Sequence, residues 1–248
     1  MELNTYPLVC TRGVVLYPNQ EIVIDVGRDT SVHAVENAQD NYDKKICLFS
    51  QKELEQENPG KEDIYPVGTL CEVRHIRRFD NFLRVKFRGI KRVKLNNWIN
   101  GSLSDLAEVE ILESEKQDAV EEEALIRMIA DELDRMQGQD RFVTKEIVME
   151  ISKGMGGEFL SDKAVQGLPL DIERKQQYLE TLGVNDRLMM LLQDMAKEKK
   201  MSEVEQQINE TVKERIDQGQ KDYYLREKMN VIREELGDTV AQDEDAAK

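Results

Sequence analysis

Apolar and polar residues alternate with a period of two through most of the first 112 positions and with a period near 3.6 after them. The chain therefore reads as a β-rich part followed by helices. The two-residue rhythm marks strands at Leu8 to Cys10, Glu21 to Val26, Lys45 to Phe49, Thr69 to Phe79, Phe82 to Leu95 and Leu103 to Leu112. One helix is expected among them over 30–40, where Asp29, Thr30 and Ser31 offer caps and Val32, Val35 and Ala38 share a face. Asp80-Asn81 reads as a tight hairpin connection whose two residues both tolerate positive φ. The polar run from Glu53 to Lys61, with its Asn58-Pro59-Gly60 turn signal, is expected to be a surface excursion. Six strands with one helix are enough to curl into a small barrel or pseudo-barrel.

Past Glu113, Leu125, Met128, Ile129, Leu133 and Met136 form one face of a helix beginning near Lys116. Phe142, Val143, Ile147 and Ile151 form the next, entered from Asp140 and stopped by Gly154. Three glycines in Gly154-Met155-Gly156-Gly157 predict a loop, and Ser161 to Gly167 a further short helix. Asp171 is placed to cap a helix over Ile172 to Leu182, with Gly183 at its C′ position, and Asn185 to cap a final helix running to Leu236. At about 1.5 Å per residue that last helix is roughly 75 Å long. Its apolar positions begin at Leu188, Leu191 and Met195, fade through Lys197 to Lys200, and resume at Met201, Val204, Ile208, Val212 and Ile216. A second stripe, Leu225, Met229, Ile232 and Leu236, has the coiled-coil-like spacing that seats a partner. Gly219 marks a position for a bend. The expected organisation is α+β: a β-rich domain over 1–113, a helical bundle over 114–184, the long helix over 185–237 and a disordered acidic tail over 238–248.

Composition narrows the function. The formal charge of -15 is uneven, with -3 over residues 1–113 and -12 over 114–248, so the second part should avoid nucleic acid. No apolar run exceeds the five residues Leu188 to Leu192, and the first residues have no secretory pattern, which predicts no membrane span and a cytoplasmic setting. Cys10, Cys47 and Cys71 stand singly in strand-like runs and read as small buried thiols, while His33 and His75 have no neighbouring ligands for a metal. Neither a phosphate-cradling G-x-x-x-x-G-K-[ST] loop nor a G-x-S-x-G or H-E-x-x-H motif is present, so no enzyme activity or bound cofactor is expected of this stretch itself.

Arg74 to Lys94 carries nine cations and one acid, Asp80. Strict alternation in Leu83-Arg84-Val85-Lys86-Phe87-Arg88 puts Arg84, Lys86 and Arg88 on one sheet face and the apolar residues in the core. Such a face would suit phosphates, including DNA or RNA, or an acidic partner, or pair with acids of the helical half.

Several blocks resemble the amino-terminal region of the Lon ATP-dependent protease family across nearly the whole chain. They are Tyr6-Pro7-Leu8 with Gly13 to Pro18, Ile64 to Thr69, Phe87-Arg88-Gly89-Ile90-Lys91-Arg92-Val93, and, most specifically, Leu168-Pro169-Leu170-Asp171-Ile172-Glu173-Arg174 through Leu182 with Gln220 to Met229 and Glu234 to Gly237. The resemblance implies a PUA-like pseudo-barrel, a helical bundle and an extended helix leading to an ATPase module, with its ATP and Mg, and a Ser-Lys protease domain, neither of which is in this chain. It further implies partners: unfolded or damaged protein clients, the protein's own ATPase and protease modules, and sister subunits of a homohexamer. Methionine suits the reading of unfolded chains because its flexible thioether repacks against many shapes. Met155, Phe159, Met189, Met190 and Met195 are the residues expected either to bind clients or to fill the bundle core, and Tyr223, Tyr224, Leu225, Met229 and Ile232 those expected to dock on the ATPase module.

Overall fold

The computed structural model describes residues 4–136, 149–151 and 153–235. They divide into two units between 196 and 197. The fold is α+β. The first unit holds β1 (Asn4–Thr11), β2 (Glu21–Val26), α1 (Asp29–Asn41), β3 (Lys45–Ser50), β4 (Val67–Arg78), β5 (Leu83–Ile99) and β6 (Leu106–Leu112). These are followed by α2 (Ala119–Met136), α3 (Gly157–Gly167), α4 (Ile172–Glu180) and the beginning of α5 (Val184–Glu235).

The sheet order β2-β5-β4-β3-β1-β6, with β6 also paired to β5, closes five strands into a pseudo-barrel and, among the described residues, leaves β2 attached through β5 alone. Closure depends on the length of β5. Its residues 83–88 pair with β2 and its residues 92–99 with β6. Gly89 lies between the two stretches, where the chain leading into β2 crosses so closely that a Cβ would stand 2.2 Å from the carbonyl oxygen of Tyr17. Only glycine fits there. From Ile46 to Ser50 every residue of β3 is buried, as expected of a strand covered on both faces. The apolar face of α1, with Ala34, Val35 and Ala38, joins Val9, Ile46, Leu48, Val73 and Phe87 in one core.

The cluster built by the helices is distinct from the two of the barrel but takes in part of the barrel half: Leu160, Val165, Tyr178, Leu179, Leu188, Leu191 and Met195 pack with Val15, Tyr17 and Val67. Polar bonds reinforce the joint: Tyr17 donates to Lys175 O at 2.7 Å and Gln176 Nε2 to Val67 O at 2.7 Å. At its centre Arg92, Asp162 and Arg187 are only 1%, 2% and 0% exposed. Arg92 donates to the Asp162 carboxylate and, through Nε, to Leu179 O at 3.1 Å. Arg187 Nε stands 3.9 Å from the same carboxylate and donates to Ser161 Oγ at 3.2 Å, while Nη1 donates to Thr181 O at 2.9 Å. Burial raises the Asp162 carboxyl above its ordinary range and pulls Arg187 down to about 10, so Arg187 remains a cation at neutral pH.

Several local expectations are corrected. The Asp80-Asn81 connection closes by Phe79 N–H donating to Phe82 O, but the positive φ values of the described non-glycine residues occur at Asn19, Asp43 and Lys44 instead. The stacked rings of Phe79 and Phe82, 4.7 Å apart, brace that turn. Helix α1 begins at Asp29 without a side-chain cap, and α2 begins at Ala119, where Asp118 Oδ1 accepts from the N–H groups of Val120 and Glu121. Gly157 already belongs to α3, where a Cβ would press on Leu188 and Glu122. Asp171 caps α4 as expected, by accepting from Arg174 N, but Gly183 is not a left-handed C′ residue: it bridges to Glu115 in a short parallel pairing. Asn185 lies inside α5, and its Nδ2 donates to Asp118 O and Glu121 Oε2. The helix expected from Phe142 to Ile151 lies outside the described residues except at 149–151, and so does the tail expected over 238–248.

In the second unit the helix passes through Gly219 unbroken, and residues 203–235 are all exposed. Among the described residues, no helix is long and apolar enough to cross a membrane and no cluster of side chains is arranged to hold a metal. Replacing Asp162 by Ala leaves two buried guanidiniums without their carboxylate, and is expected to cost about 3–5 kcal/mol in urea unfolding. A loss below about 1 kcal/mol, the range of a solvated pair, would contradict a load-sharing role for this carboxylate.

Candidate functional site

The methionine and phenylalanine candidates do not form one exposed surface. In α5 the spacing of Leu188, Leu191 and Met195 turns all three into the core, and Met195 is 1% exposed. Of the two alternatives, client surface or bundle core, Met195 takes the core. Met190 and Met155 are half-buried and packed against that core, and the Thr181 hydroxyl, which donates to Gln177 O at 2.8 Å, stands 3.7 Å from the Met190 sulfur. Phe159 is half-buried, with the Lys163 ammonium 5.8 Å from its ring centroid. Met189 alone of the five is exposed, at 43%. In the second unit Met201, Val204, Ile208, Val212 and Ile216, and then Tyr223, Tyr224, Leu225, Met229 and Ile232, are all exposed. These are large apolar side chains at helical spacing, which soluble surfaces rarely present in a row.

Alternation in β5 holds as expected up to Gly89: Leu83, Val85 and Phe87 are buried, Arg84 and Arg88 exposed and Lys86 half-exposed. The acids facing this row come from the neighbouring strand β2 and not from the helical half. Register pairs Asp25 with Arg84 and Val23 with Lys86. Arg84 grips Asp25 in a two-pronged contact, Nε to Oδ1 at 2.7 Å and Nη2 to Oδ2 at 2.8 Å, and Lys86 Nζ meets Glu21 Oε2 at 2.6 Å. Arg84 also lies over the rings of Phe79 and Phe82. Two of the three expected phosphate-binding cations are therefore already engaged.

Beside them the structure joins cations of this stretch to Glu21 and Val23, which the sequence reading did not single out. Val23, 56% exposed, floors an open depression of about 640 Å³ walled by Glu21, Arg74, His75, Arg77, Arg84 and Lys86. A second depression, of about 350 Å³, lies where Val9 to Arg12 of the β1 end approach Ile24 to Arg28. Arg28 braces it by donating to Cys10 O, Gln51 Oε1 and Gln56 O, and burial together with Arg12 lowers its pKa. Burial pushes the Cys10 thiol up to about 12 and raises Cys47 and Cys71 as well, which leaves all three inert as nucleophiles at neutral pH. The run Glu21-Ile22-Val23-Ile24-Asp25, three apolar residues between two acids, was the available signal for this place.

Comparison with known proteins adds to this geometry. Residues 5–197 match the family model of the ATP-dependent protease La (LON) substrate-binding domain. The chain is 33% identical over 233 residues to a Lon protease of Brevibacillus choshinensis, 31% over 236 to Lon protease 1 of Bacillus subtilis (strain 168) and 32% over 233 to the Lon protease of Escherichia coli (strain K12). These matches take in 94%, 95% and 94% of the chain, which spans about 30% of the length of each relative. Among solved structures, the N terminal domain of Mycobacterium avium complex Lon protease shares the fold at TM-score 0.63 and 18% identity, over 78% of this chain and 98% of that one. A Lon N-terminal domain protein from Xanthomonas campestris follows at TM-score 0.52 and 17% identity, over 76% and 97%.

The β2 carboxyls give a pH test. The hydrogen bond from Arg84 holds the Asp25 carboxyl below its ordinary range, and that from Lys86 does the same for Glu21. Because the folded value is the lower one, these pairs contribute above the ordinary carboxylate pKa and lose their contribution as pH falls through the folded value. Arg84→Met is expected to raise the Asp25 titration midpoint, followed by carboxyl-carbon NMR, back toward the ordinary range; an unmoved midpoint would contradict the pairing.

Proposed function

The chain belongs to the family of the ATP-dependent protease La (Lon) substrate-binding domain, and from that premise we propose that it captures unfolded or damaged proteins for a longer ATP-dependent protease. On this reading it is the non-catalytic recognition and assembly region. The chemistry belongs to ATPase and Ser-Lys protease modules of the parent, with ATP and Mg, in a homohexamer. The observation that carries the reading is the match of residues 5–197 to the substrate-binding model.

The physical features of the chain support it. Capture without sequence demand needs adaptable apolar surface, and the first unit offers exposed Met189 beside half-buried Met190. In the second unit, the exposed positions from Tyr223 to Ile232 suit docking on an ATPase module, and Met201 to Ile216 suit a helical neighbour. Phosphate recognition is less well served, since Arg84 and Lys86 are held by Asp25 and Glu21.

Titrating the chain into fluorescein-labelled, reduced and carboxymethylated lysozyme, read by anisotropy, tests the proposal. Saturable binding that survives added salt is expected, and no binding would overturn it. Met189→Ser is expected to weaken that binding about three- to tenfold at unchanged melting temperature. Met195→Ala should instead destabilise the fold by about 2–5 kcal/mol. A Met189 variant that binds as the wild type does would remove this residue from the client surface.

A further inference from the structure

Among the described residues, strand β2 pairs on one side only, with β5. The direction of its backbone groups follows from two hydrogen bonds, Gly89 N–H to Gln20 O and Phe79 N–H to Phe82 O. Carried along the two antiparallel registers, both bonds place the N–H and C=O groups of Leu83, Val85 and Phe87 on the β2 side of β5. Their partners Ile22, Ile24 and Val26 therefore spend their backbone groups on β5. The N–H and C=O groups of Glu21, Val23 and Asp25 point off the free edge.

The side chains of this edge are arranged unusually for an unprotected strand. Edges are commonly blunted by charges that reach across them. Here the two acids are drawn back over the sheet face by Lys86 and Arg84, and exposed Val23 is left between them. The basic depression floored by Val23 lies on the outer face of β2, and the smaller depression lined by Val9, Ile24 and Val26 lies toward its inner side.

We propose that the free edge of β2 is a binding site for an extended segment of an unfolded protein, which adds as a further strand beside Glu21, Val23 and Asp25. This deepens the capture reading above and rests on it. Main-chain hydrogen bonds supply sequence-tolerant affinity, and the two depressions receive alternate side chains. Inward positions meet Ile24 and Val9 and take apolar residues. Outward positions stand beside exposed Val23 between the paired acids Glu21 and Asp25, with the cations of β4 beyond β5, and take uncharged polar residues, which gives the site a preference for segments alternating apolar and polar residues.

The test uses a fluorescein-labelled seven-residue peptide alternating valine and threonine, with the unfolded lysozyme as a second ligand. Val23→Pro removes the outward N–H at the centre of the edge and leaves the β2–β5 bonds in place, a position where sheets accept proline. It is expected to lower peptide affinity about tenfold with the circular dichroism spectrum unchanged. Two peptide isomers, N-methylated on the odd or on the even residues, keep the test independent of the variant's folding. One isomer should lose binding to the wild-type chain and the other keep it. Retention by both, loss by both, or a Val23→Pro chain that is folded and binds as the wild type does overturns the edge assignment. So does a wild-type chain that takes up the lysozyme but not the peptide, or a light-scattering mass showing that Val23 pairs two copies of the chain. A wild-type chain that binds neither ligand ends the capture reading as well.

Discussion

Asp162 is a single carboxylate buried against two buried guanidiniums, and the arrangement of the first unit follows from it. Arg92 comes from the strand that closes the barrel, Asp162 from α3 and Arg187 from the first turns of α5. A charge removed from water needs a partner and further hydrogen bonds to be tolerated. Here the carbonyls of Leu179 and Thr181 and the hydroxyl of Ser161 supply them. Each of the three elements is thereby fixed relative to the others, and Val15, Tyr17 and Val67 fall into the same apolar cluster as the helices.

That joint decides which apolar residues remain for other uses. With Arg187 anchored, the same helical face carries Leu188, Leu191 and Met195 inward and leaves Met189 outward. At the far side of the barrel, β5 divides one edge between β2 and β6, so β2 ends with a free edge of its own. Core packing at one end and strand sharing at the other thus account for the surfaces to which client capture is assigned.

The strands were legible because a half-buried sheet imposes its two-residue rhythm directly on the sequence, and every expected strand overlaps an observed one. The family was legible from the Leu168 to Leu182 block, which forms α4 and the entry to α5. The ion network was not. Arg92 and Asp162 are 70 positions apart, and Arg92 sits in a row that reads as solvated because the alternation of β5 breaks after Gly89, where its partner changes. The acids facing Arg84 and Lys86 are not legible locally, because nothing in the sequence shows that β2 returns to β5 across a helix and two strands. Met195 shares the helical spacing of Leu188 and Leu191 and Met189 does not, so the stripe itself separates the two, whereas Met190 and Leu192 beside it carry no such signal.

Native-state amide exchange at rising urea concentration tests most directly whether the barrel and helices are one cooperative unit. The amides of Val85, Phe87 and Val93 in β5 and those of Leu160, Val165, Tyr178 and Leu179 in α3 and α4 should converge on a single opening isotherm. A helical set that opens at distinctly lower free energy than the β5 set would contradict the account, because the buried carboxylate would then not be holding the two together.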